Sequence, residues 1–378
     1  MPFNLIFSIN IISVFLLIFF SIFLVTRKKQ SKLSNFLLAG FLFINSIPFL
    51  FDIINSLDLK IFSSLPTLYL SFFNLDFLMG PLIYFYTKSV AIKDFRLKKK
   101  DWPHLLPVIV FNLYLLFSII LKQTTGIPLS FIRREITAAL LASHMLLVIY
   151  ACLSVRVLRQ FTAAINNVYS YTKKINLNWL RFVLVGFGII WLMIIVNCLV
   201  RIIWNTPITS LNDILSAVNF AVSTIIIYYG LTQPRLFTGI ESKSKYEGST
   251  LTSKNAKLYT HRLKVFMKTE KPHLTPSITI NELSDKLSIP ARHLSQLVNE
   301  QFQQNFFDFI NSYRIEEAKR YLIKNSHHNL NISQILYEVG FNSKAAFNRA
   351  FSKHVGMSPK EFRKKSQAQE LSILRNNP

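Results

Sequence analysis

Two short segments near the C-terminus carry the residue types that hydrogen-bond to DNA base edges. Arginine pairs bidentately with guanine, and asparagine or glutamine pairs with adenine. In a helix-turn-helix, the N-terminal turns of the second helix lie against the bases. The residues predicted to occupy such turns here are Arg292, Gln296, Lys344, Asn348 and Arg349. The pattern favours double-stranded DNA as a partner over an ordinary solvated surface, because two such segments occur in tandem.

The first of these segments has the sequence TINELSDKLSIPARHLSQLVNE, residues 279–300. Thr279 can cap a helix, and Glu282 three residues later completes a capping box. The run Ser288-Ile289-Pro290 ends that helix, and proline suits the start of the next one. The spacing predicts two helices joined by a tight turn.

The second segment, NISQILYEVGFNSKAAFNRAFSK at residues 331–353, has the same plan. Gly340 is expected to end its first helix, and Ser343 is expected to cap its second. Phe347 and Phe351 are four residues apart and are predicted to pack inward. One longer helix over 307–324 is predicted to connect the two units.

The tail resembles the AraC/XylS-type transcriptional regulators through LSIPARHLSQLVNE, NFFDFINSYRIEEAKRYL and ILYEVGFNSKAAFNRAFSKHVGMSPKEFR, within residues 275–365. The resemblance implies that the two second helices contact successive major-groove segments. The positions that match base-contacting sites of the family are Arg292, Ser295, Gln296, Lys344, Ala346, Asn348 and Arg349. Two departures stand out: Leu336 replaces a usual small alanine, and Ala345 and Ala346 replace commonly polar residues.

The rest of the chain has the composition of a membrane protein. The 378 residues are 51% hydrophobic and 16% charged, whereas roughly 25% of an average soluble domain is charged. A membrane-spanning helix needs about 20 mainly apolar residues. Seven segments qualify: 3–25, 34–54, 65–87, 103–121, 136–158, 180–203 and 211–231. The first is interpreted as a retained anchor, because it has no basic residue before it and no small-residue cleavage site.

Loop charge predicts the orientation of these spans, because basic residues accumulate on the cytoplasmic side. The loops after the first, third and fifth spans are more basic than the alternate loops. Their basic residues include Arg27, Lys28, Lys29, Lys32, Lys88, Lys93, Arg96, Lys98, Lys99, Lys100, Arg159, Lys173 and Lys174. We expect a multi-pass protein of the cytoplasmic membrane, with its N-terminus outside and its C-terminal domain in the cytoplasm, where the DNA is.

Polar residues within the predicted spans are candidates for detecting a signal. Asp76 lies before Gly80-Pro81 in the third span, and His144 lies in the fifth. Ionisable groups in hydrocarbon often have functional roles. The alternative is that these residues, like Asn197 and Asn219, hydrogen-bond neighbouring helices and stabilise the bundle.

The predicted architecture is all-α: a seven-helix transmembrane bundle followed by a cytoplasmic tandem helix-turn-helix domain. The expected divisions are 1–235 for the membrane domain, 236–255 for a linker, 256–274 for a preceding helix, 275–366 for the helix-turn-helix domain and 367–378 for a tail. The net charge of +24 suits nucleic acid. The two cysteines, Cys152 and Cys198, fall in apolar segments, so neither a disulfide framework nor a zinc finger is predicted.

These features predict a membrane-tethered, sequence-specific DNA-binding regulator that is not an enzyme and has no cofactor. Its expected partners are DNA, membrane lipid and an unidentified membrane-associated signal, and a homodimer is a further candidate. One alternative is a membrane transporter or enzyme with a regulatory helix-turn-helix tail. It is less favoured because the first 240 residues contain no metal cluster, nucleophile motif or phosphate-binding loop. Another alternative is a scaffold whose helix-turn-helix units bind protein.

Overall fold

The computed structural model describes residues 5–26, 32–58, 72, 74–92, 94–125, 129–172, 175, 177–204, 209–232, 251–324 and 330–376. Regular structure within these ranges is helical, apart from isolated β-bridges. The all-α prediction is therefore confirmed for the described residues. The chain divides into two compact units. The first comprises residues 1–161 and 177–241, and the second comprises 162–176 and 242–378.

The first unit contains long apolar helices. Its described helices are α1 (Leu5–Thr26), α2 (Lys32–Ser56), α3 (Asp76–Ala91), α4 (Leu106–Thr125), α5 (Leu129–Asn166), α6 (Asn178–Trp204) and α7 (Thr209–Thr232). A 3-10 helix, Lys99–Leu105, precedes α4. The last five residues of α5 fall in the second unit.

Five helices in the described residues are long and apolar enough to cross a membrane. They are Leu5–Thr26, Lys32–Ser56, Thr137–Asn166, Asn178–Trp204 and Leu211–Tyr229. The predicted spans 65–87 and 103–121 are not among them. Residues 59–71 lie outside the described residues, and the 16 residues of α3 are fewer than the roughly 20 that a span requires. Five of the seven predicted spans thus coincide with candidate membrane helices.

The helices of the first unit are apolar on their outer surface as well as where they meet. Phe15 and Phe19 of α1 and Phe182 of α6 are each about 60% exposed (65%, 59% and 63%). Inside the unit, Phe41 and Phe187 are fully buried, and their rings meet edge to face at 5.2 Å. Exposed aromatic surface of this extent is typical of a helix that faces lipid or a partner.

The second unit contains seven described α-helices besides the end of α5 and a 3-10 helix, Pro272–Leu274. They are α8 (Ser253–Thr269), α9 (Ile280–Leu287), α10 (Ala291–Gln301), α11 (Phe306–Lys324), α12 (Ile332–Glu338), α13 (Lys344–Val355) and α14 (Pro359–Asn376). The preceding helix predicted within 256–274 and the helix predicted over 307–324 correspond to α8 and α11. Helix α14 continues past the predicted domain end at 366. Most of the predicted linker, residues 236–250, lies outside the described residues.

Helix α11 joins two hydrophobic cores. Phe309 and Ile310, near its start, belong to the first core with the apolar faces of α8, α9 and α10. Ile315 and Leu322, further along, belong to the second core with α12 and α13. One continuous helix therefore carries both helix-turn-helix units, as the sequence predicts for the connecting helix.

Candidate nucleic-acid interface

The first helix-turn-helix is formed by α9, a tight turn and α10. The Thr279 amide donates to Glu282 Oε2 at 2.8 Å, and the Glu282 amide donates to Thr279 Oγ1 at 3.3 Å, so the predicted capping box is present. Helix α9 ends at Ser288, which has a left-handed backbone with φ of 50°. Pro290 then precedes α10. The predicted break between the two helices is confirmed.

Helix α10 buries one face and leaves the predicted DNA-binding residues on another. Leu294 and Leu297 are fully buried, whereas Arg292, Ser295 and Gln296 are partly exposed. Gln296 Nε2 donates to Glu300 Oε1 at 2.9 Å. Gln296 would have to leave this intrahelical bond to reach a base, whereas the structure gives Arg292 no such side-chain bond within the described residues.

The second helix-turn-helix is formed by α12 and α13. Asn331 caps α12 and forms a capping box with Gln334. This capping box was not predicted from the sequence. Gly340 follows α12 with φ of 85°, and the Phe341 amide donates to the Leu336 carbonyl at 2.9 Å. The Ala346 amide donates to Ser343 Oγ at 3.3 Å. The predicted glycine terminus and serine cap are both confirmed.

Helix α13 has a clear division between its buried and exposed faces. Phe347 and Phe351 are fully buried. Lys344 and Arg349 are exposed and Asn348 is partly exposed, so these three predicted residues share the accessible face. Ala346 instead packs against the second core. Any base contact by Ala346 is therefore limited to the part of its methyl group that stays accessible.

The departures from the family pattern are accommodated in different ways. Leu336, which stands where a small alanine is usual, is 1% exposed within the second core, so its larger side chain is packed there. Ala345 is exposed beside Lys344. It can offer a base a methyl group but no hydrogen bond, so fewer groups on α13 can hydrogen-bond to bases.

A buried arginine in α11 holds the segment that precedes the first helix-turn-helix. Arg314 is 1% exposed, and its guanidinium donates from Nε to the His273 carbonyl at 2.7 Å and from Nη2 to the Thr275 carbonyl at 3.0 Å. It also lies over the Phe341 ring, 5.5 Å from the ring centroid. Arg314 was not predicted from the sequence. Its i+4 spacing from the inward-facing Ile310 was the available signal.

The same segment packs closely against the second helix-turn-helix. A Cβ atom at Gly340 would lie 2.7 Å from the Leu274 carbonyl oxygen and 2.8 Å from that of His273. Nearby, Asn342 Nδ2 donates to Ser277 Oγ at 2.8 Å. The 272–277 segment therefore packs between α11 and the turn of the second helix-turn-helix and fixes the two helix-turn-helix motifs relative to each other.

Titratable groups around this segment have shifted pKa values. Burial lowers the pKa of His273 to about 4, although the Glu317 carboxylate acts in the opposite direction. Burial also lowers the pKa of Arg314 to about 10, so the guanidinium stays charged at neutral pH. For Glu317, burial acts to raise the pKa, but the hydrogen bond and charge of Lys271, at 2.8 Å, and the charge of Arg320 lower it overall.

The basic residues of α13 and α14 outside the base-contacting set fall into two groups. Lys353 forms an ion pair with Asp308 at 2.7 Å, and Arg363 donates to the Leu330 carbonyl at 2.9 Å. These two residues stabilise the packing of α13 and α14 against their neighbours. Lys360, Lys364 and Lys365 are exposed on α14 and are the accessible cations there.

The candidate sensing residues lie in the first unit. Asp76 is 9% exposed at the first described residue of α3 rather than in mid-helix. His144 Nδ1 lies 2.8 Å from the Leu140 carbonyl of its own helix. Asn219 and Asn45 connect α7 and α2, with Asn45 Nδ2 donating to Asn219 Oδ1 at 3.2 Å. The structural alternative, that such residues stabilise the bundle, therefore holds for Asn219, and His144 has a partner on its own helix.

Comparison with known proteins identifies the class of the second unit. Residues 283–365 match the family model described as a helix-turn-helix domain. This match is consistent with the resemblance of the tail to the AraC/XylS-type regulators. The C-terminal part of the chain is thus similar to the helix-turn-helix domains of transcription regulators. No group of three or more metal-ligating side chains occurs among the described residues.

The particular relatives share this domain rather than the whole chain. An uncharacterized HTH-type transcriptional regulator of Staphylococcus aureus strain COL is 32% identical over 91 residues, which are 24% of this chain and 12% of that protein. The melibiose operon regulatory protein of Escherichia coli K12 is 27% identical over 115 residues, which are 30% of this chain and 36% of that protein. A solved structure of a Listeria innocua protein of unknown function is 27% identical and covers 28% of this chain and 95% of its own, with a TM-score of 0.24.

Proposed function

We propose that this protein is a membrane-tethered, sequence-specific DNA-binding transcription regulator. The observation that carries the proposal is the pair of accessible helix faces, on α10 and α13, within one AraC-type domain. Arg292 on the first face and Asn348 and Arg349 on the second are suited to guanine and adenine. The five apolar helices of the first unit support a membrane location.

Base contacts are assigned to the two second helices. Ser295 and Gln296 assist Arg292 on α10, and Lys344 and Ala346 complete the set on α13. Lys360, Lys364 and Lys365 contact phosphates, which position the domain without specifying sequence. The two second helices lie in successive major grooves on one face of double-stranded DNA.

The membrane part places the domain in the cytoplasm and detects a membrane-associated signal. The basic loops after the first, third and fifth predicted spans support an N-terminus outside the cell. Asp76 is the first candidate for contact with the signal, because it is a buried carboxyl group in an apolar unit. His144 is the second candidate for contact with the signal. The proposal also includes a homodimer of the chain.

The DNA-binding part of the proposal is tested by selection of DNA from a random pool. The purified 241–378 fragment is used at two salt concentrations, after its fold is confirmed by circular dichroism. The expected result is an enriched motif about two helical turns long, with affinity that falls steeply with salt because phosphate contacts release counterions. A folded fragment that enriches no sequence would contradict autonomous, sequence-specific binding.

The membrane part of the proposal is tested by topology fusions to the full chain. Green fluorescent protein placed after residue 378 should fluoresce in the membrane fraction, and alkaline phosphatase placed there should be inactive. The matched control places the same two proteins before residue 1, where phosphatase should be active and green fluorescent protein should not fluoresce. A soluble full chain, or an active C-terminal phosphatase, would contradict the proposed tether and orientation.

A further inference from the structure

A segment from between α5 and α6 pairs with the start of the first helix-turn-helix, within the second unit. Tyr169 and Thr279 form an antiparallel β-bridge. The Ser170 amide donates to the Ile278 carbonyl at 3.2 Å, and the Ile280 amide donates to the Val168 carbonyl at 2.8 Å. These residues are more than 100 positions apart in the sequence, so the pairing is a tertiary contact.

The pairing is buried rather than superficial. Ser170 is 2% exposed, and its hydroxyl donates to the same Ile278 carbonyl at 2.6 Å. Val168 packs against the first core, whose buried members include Ile278 and Ile280. Three hydrogen bonds and an apolar contact therefore hold residues 168–170, and the buried Ser170 hydroxyl has its partner there, as buried polar groups require.

The contact lies where it can affect DNA binding. Thr279, opposite Tyr169, is the N-terminal cap of α9. Leu283 and Leu287 of α9 share the first core with Leu294 of α10. Closely packed side chains transmit displacement, so a pull on residues 168–170 would move the start of α9 and shift the DNA-binding face of α10.

We propose that residues 168–170 are a docking segment through which the membrane part controls the first helix-turn-helix. This inference depends on the proposed membrane-tethered regulator. Only Asn167 lies between the end of α5 at Asn166 and Val168, and one residue is too short to absorb a large displacement of α5. A signal that moves α5 against α6 therefore changes the force that residues 168–170 exert on the start of α9.

Docking is tested by a disulfide across the bridge in the full chain. The bonds on both sides of Tyr169 and Thr279 make them a non-hydrogen-bonded pair, whose Cα atoms lie roughly 4.5 Å apart, within disulfide range. Tyr169→Cys with Thr279→Cys is made in a chain whose two native cysteines, Cys152 and Cys198, are replaced by alanine.

Mild oxidation in native membranes should cross-link this pair, and mass spectrometry of the digest should show the linked peptides. The matched control combines Thr172→Cys with Thr279→Cys and should give at least tenfold less of the linked product. Equal yields from the two pairs would overturn docking. This measurement involves no DNA, so its result is independent of whether the chain binds DNA.

Control of DNA binding is tested by comparing the oxidised, docked protein with Val168→Asp, in which a carboxylate replaces the apolar contact. Both are full chains in lipid nanodiscs, and their affinities for the selected DNA motif should differ at least tenfold. A difference under twofold would overturn the control role. If Val168→Asp is unfolded, Ser170→Pro, which removes two of the three hydrogen-bond donors, replaces it. Failure of every form to bind DNA would refute the proposed function itself, while the cross-link still reports docking.

Discussion

Replacement of Gly340 by alanine should destabilise the DNA-binding domain much more than the same replacement at Gly356. Both glycines follow a helix with positive φ, 85° and 79°. A left-handed conformation costs an ordinary residue about 1–2 kcal/mol. The surroundings differ, because a Cβ at Gly356 would meet nothing within 4 Å, whereas one at Gly340 would collide with two backbone carbonyl oxygens.

The collision at Gly340 cannot be relieved cheaply. The His273 carbonyl, 2.8 Å from the added Cβ, accepts the 2.7 Å hydrogen bond from Arg314. A hydrogen bond to a charged group contributes about 1.5–3 kcal/mol, and a shift of the 272–275 segment would weaken it. We therefore expect Gly340→Ala to cost about 2.5–5 kcal/mol and Gly356→Ala about 1–2 kcal/mol.

Urea unfolding of the 241–378 fragment, followed by circular dichroism, measures both losses. Comparable slopes with different midpoints would show that stability alone changed. The Gly356→Ala variant is the internal control for the conformational cost. If the two variants lost the same free energy of unfolding, the 272–275 segment could not lie against Gly340. The fixed arrangement of the two helix-turn-helix motifs would then be wrong.

Three further predictions test the DNA-binding face, the core and the buried histidine. Arg349→Ala should cost about 1–3 kcal/mol of specific binding free energy and relax the preference at one base position. Lys360→Ala should instead weaken binding to all sequences and reduce the slope of log affinity against log salt concentration by about 1. Binding titrations on selected and scrambled DNA distinguish the two effects. Phe351→Ala should cost about 3–5 kcal/mol of stability in urea, because it opens a cavity in the second core. The free energy of unfolding should fall by up to about 3 kcal/mol as the pH drops from about 6.5 towards 4. In this range His273 takes up a proton in the unfolded chain but not in the folded domain, where burial lowers its pKa to about 4. The pH dependence should therefore be weaker in His273→Gln.

Each of these predictions has a result that would contradict it. Unchanged sequence preference in Arg349→Ala would show that this face of α13 does not contact bases. A Phe351→Ala variant as stable as the wild type would place the ring outside the core. Stability that stays flat between pH 6.5 and 4 would mean that His273 is accessible to solvent in the folded domain.

Local sequence signals were sufficient to predict the helix-turn-helix units. Thr279 with Glu282, Gly340, and Ser343 specify helix ends through bonds to neighbours within a few residues, so the pattern is visible along the chain. The i+4 spacing of Phe347 and Phe351 likewise predicted the buried face of α13. The base-contacting residues remain predictions, because exposure alone does not identify what a side chain binds.

Contacts between distant residues could not be predicted in this way. Arg314 bonds to carbonyls about 40 positions away, and backbone carbonyls leave no signature in the sequence. The pairing of residues 168–170 with 278–280 likewise involves backbone groups that every residue carries. The position of Asp76 at the start of α3, rather than in the middle of the predicted span 65–87, was not predicted, since hydrophobicity identifies an apolar stretch but not where its helix begins.

The structure also indicates where control of DNA binding can be exerted. Helix α11, Arg314 and the 272–277 segment connect the two helix-turn-helix units, and packed elements move together rather than deform. A signal that had to separate these units would need to break the Arg314 bonds and both cores. Residues 168–170 are held instead by three hydrogen bonds and by the packing of Val168 against the first core, so their release leaves the buried members of both cores in place. Reversible regulation at this contact therefore requires fewer interactions to be broken than regulation between the two helix-turn-helix motifs, and the cross-linking experiment tests this contact.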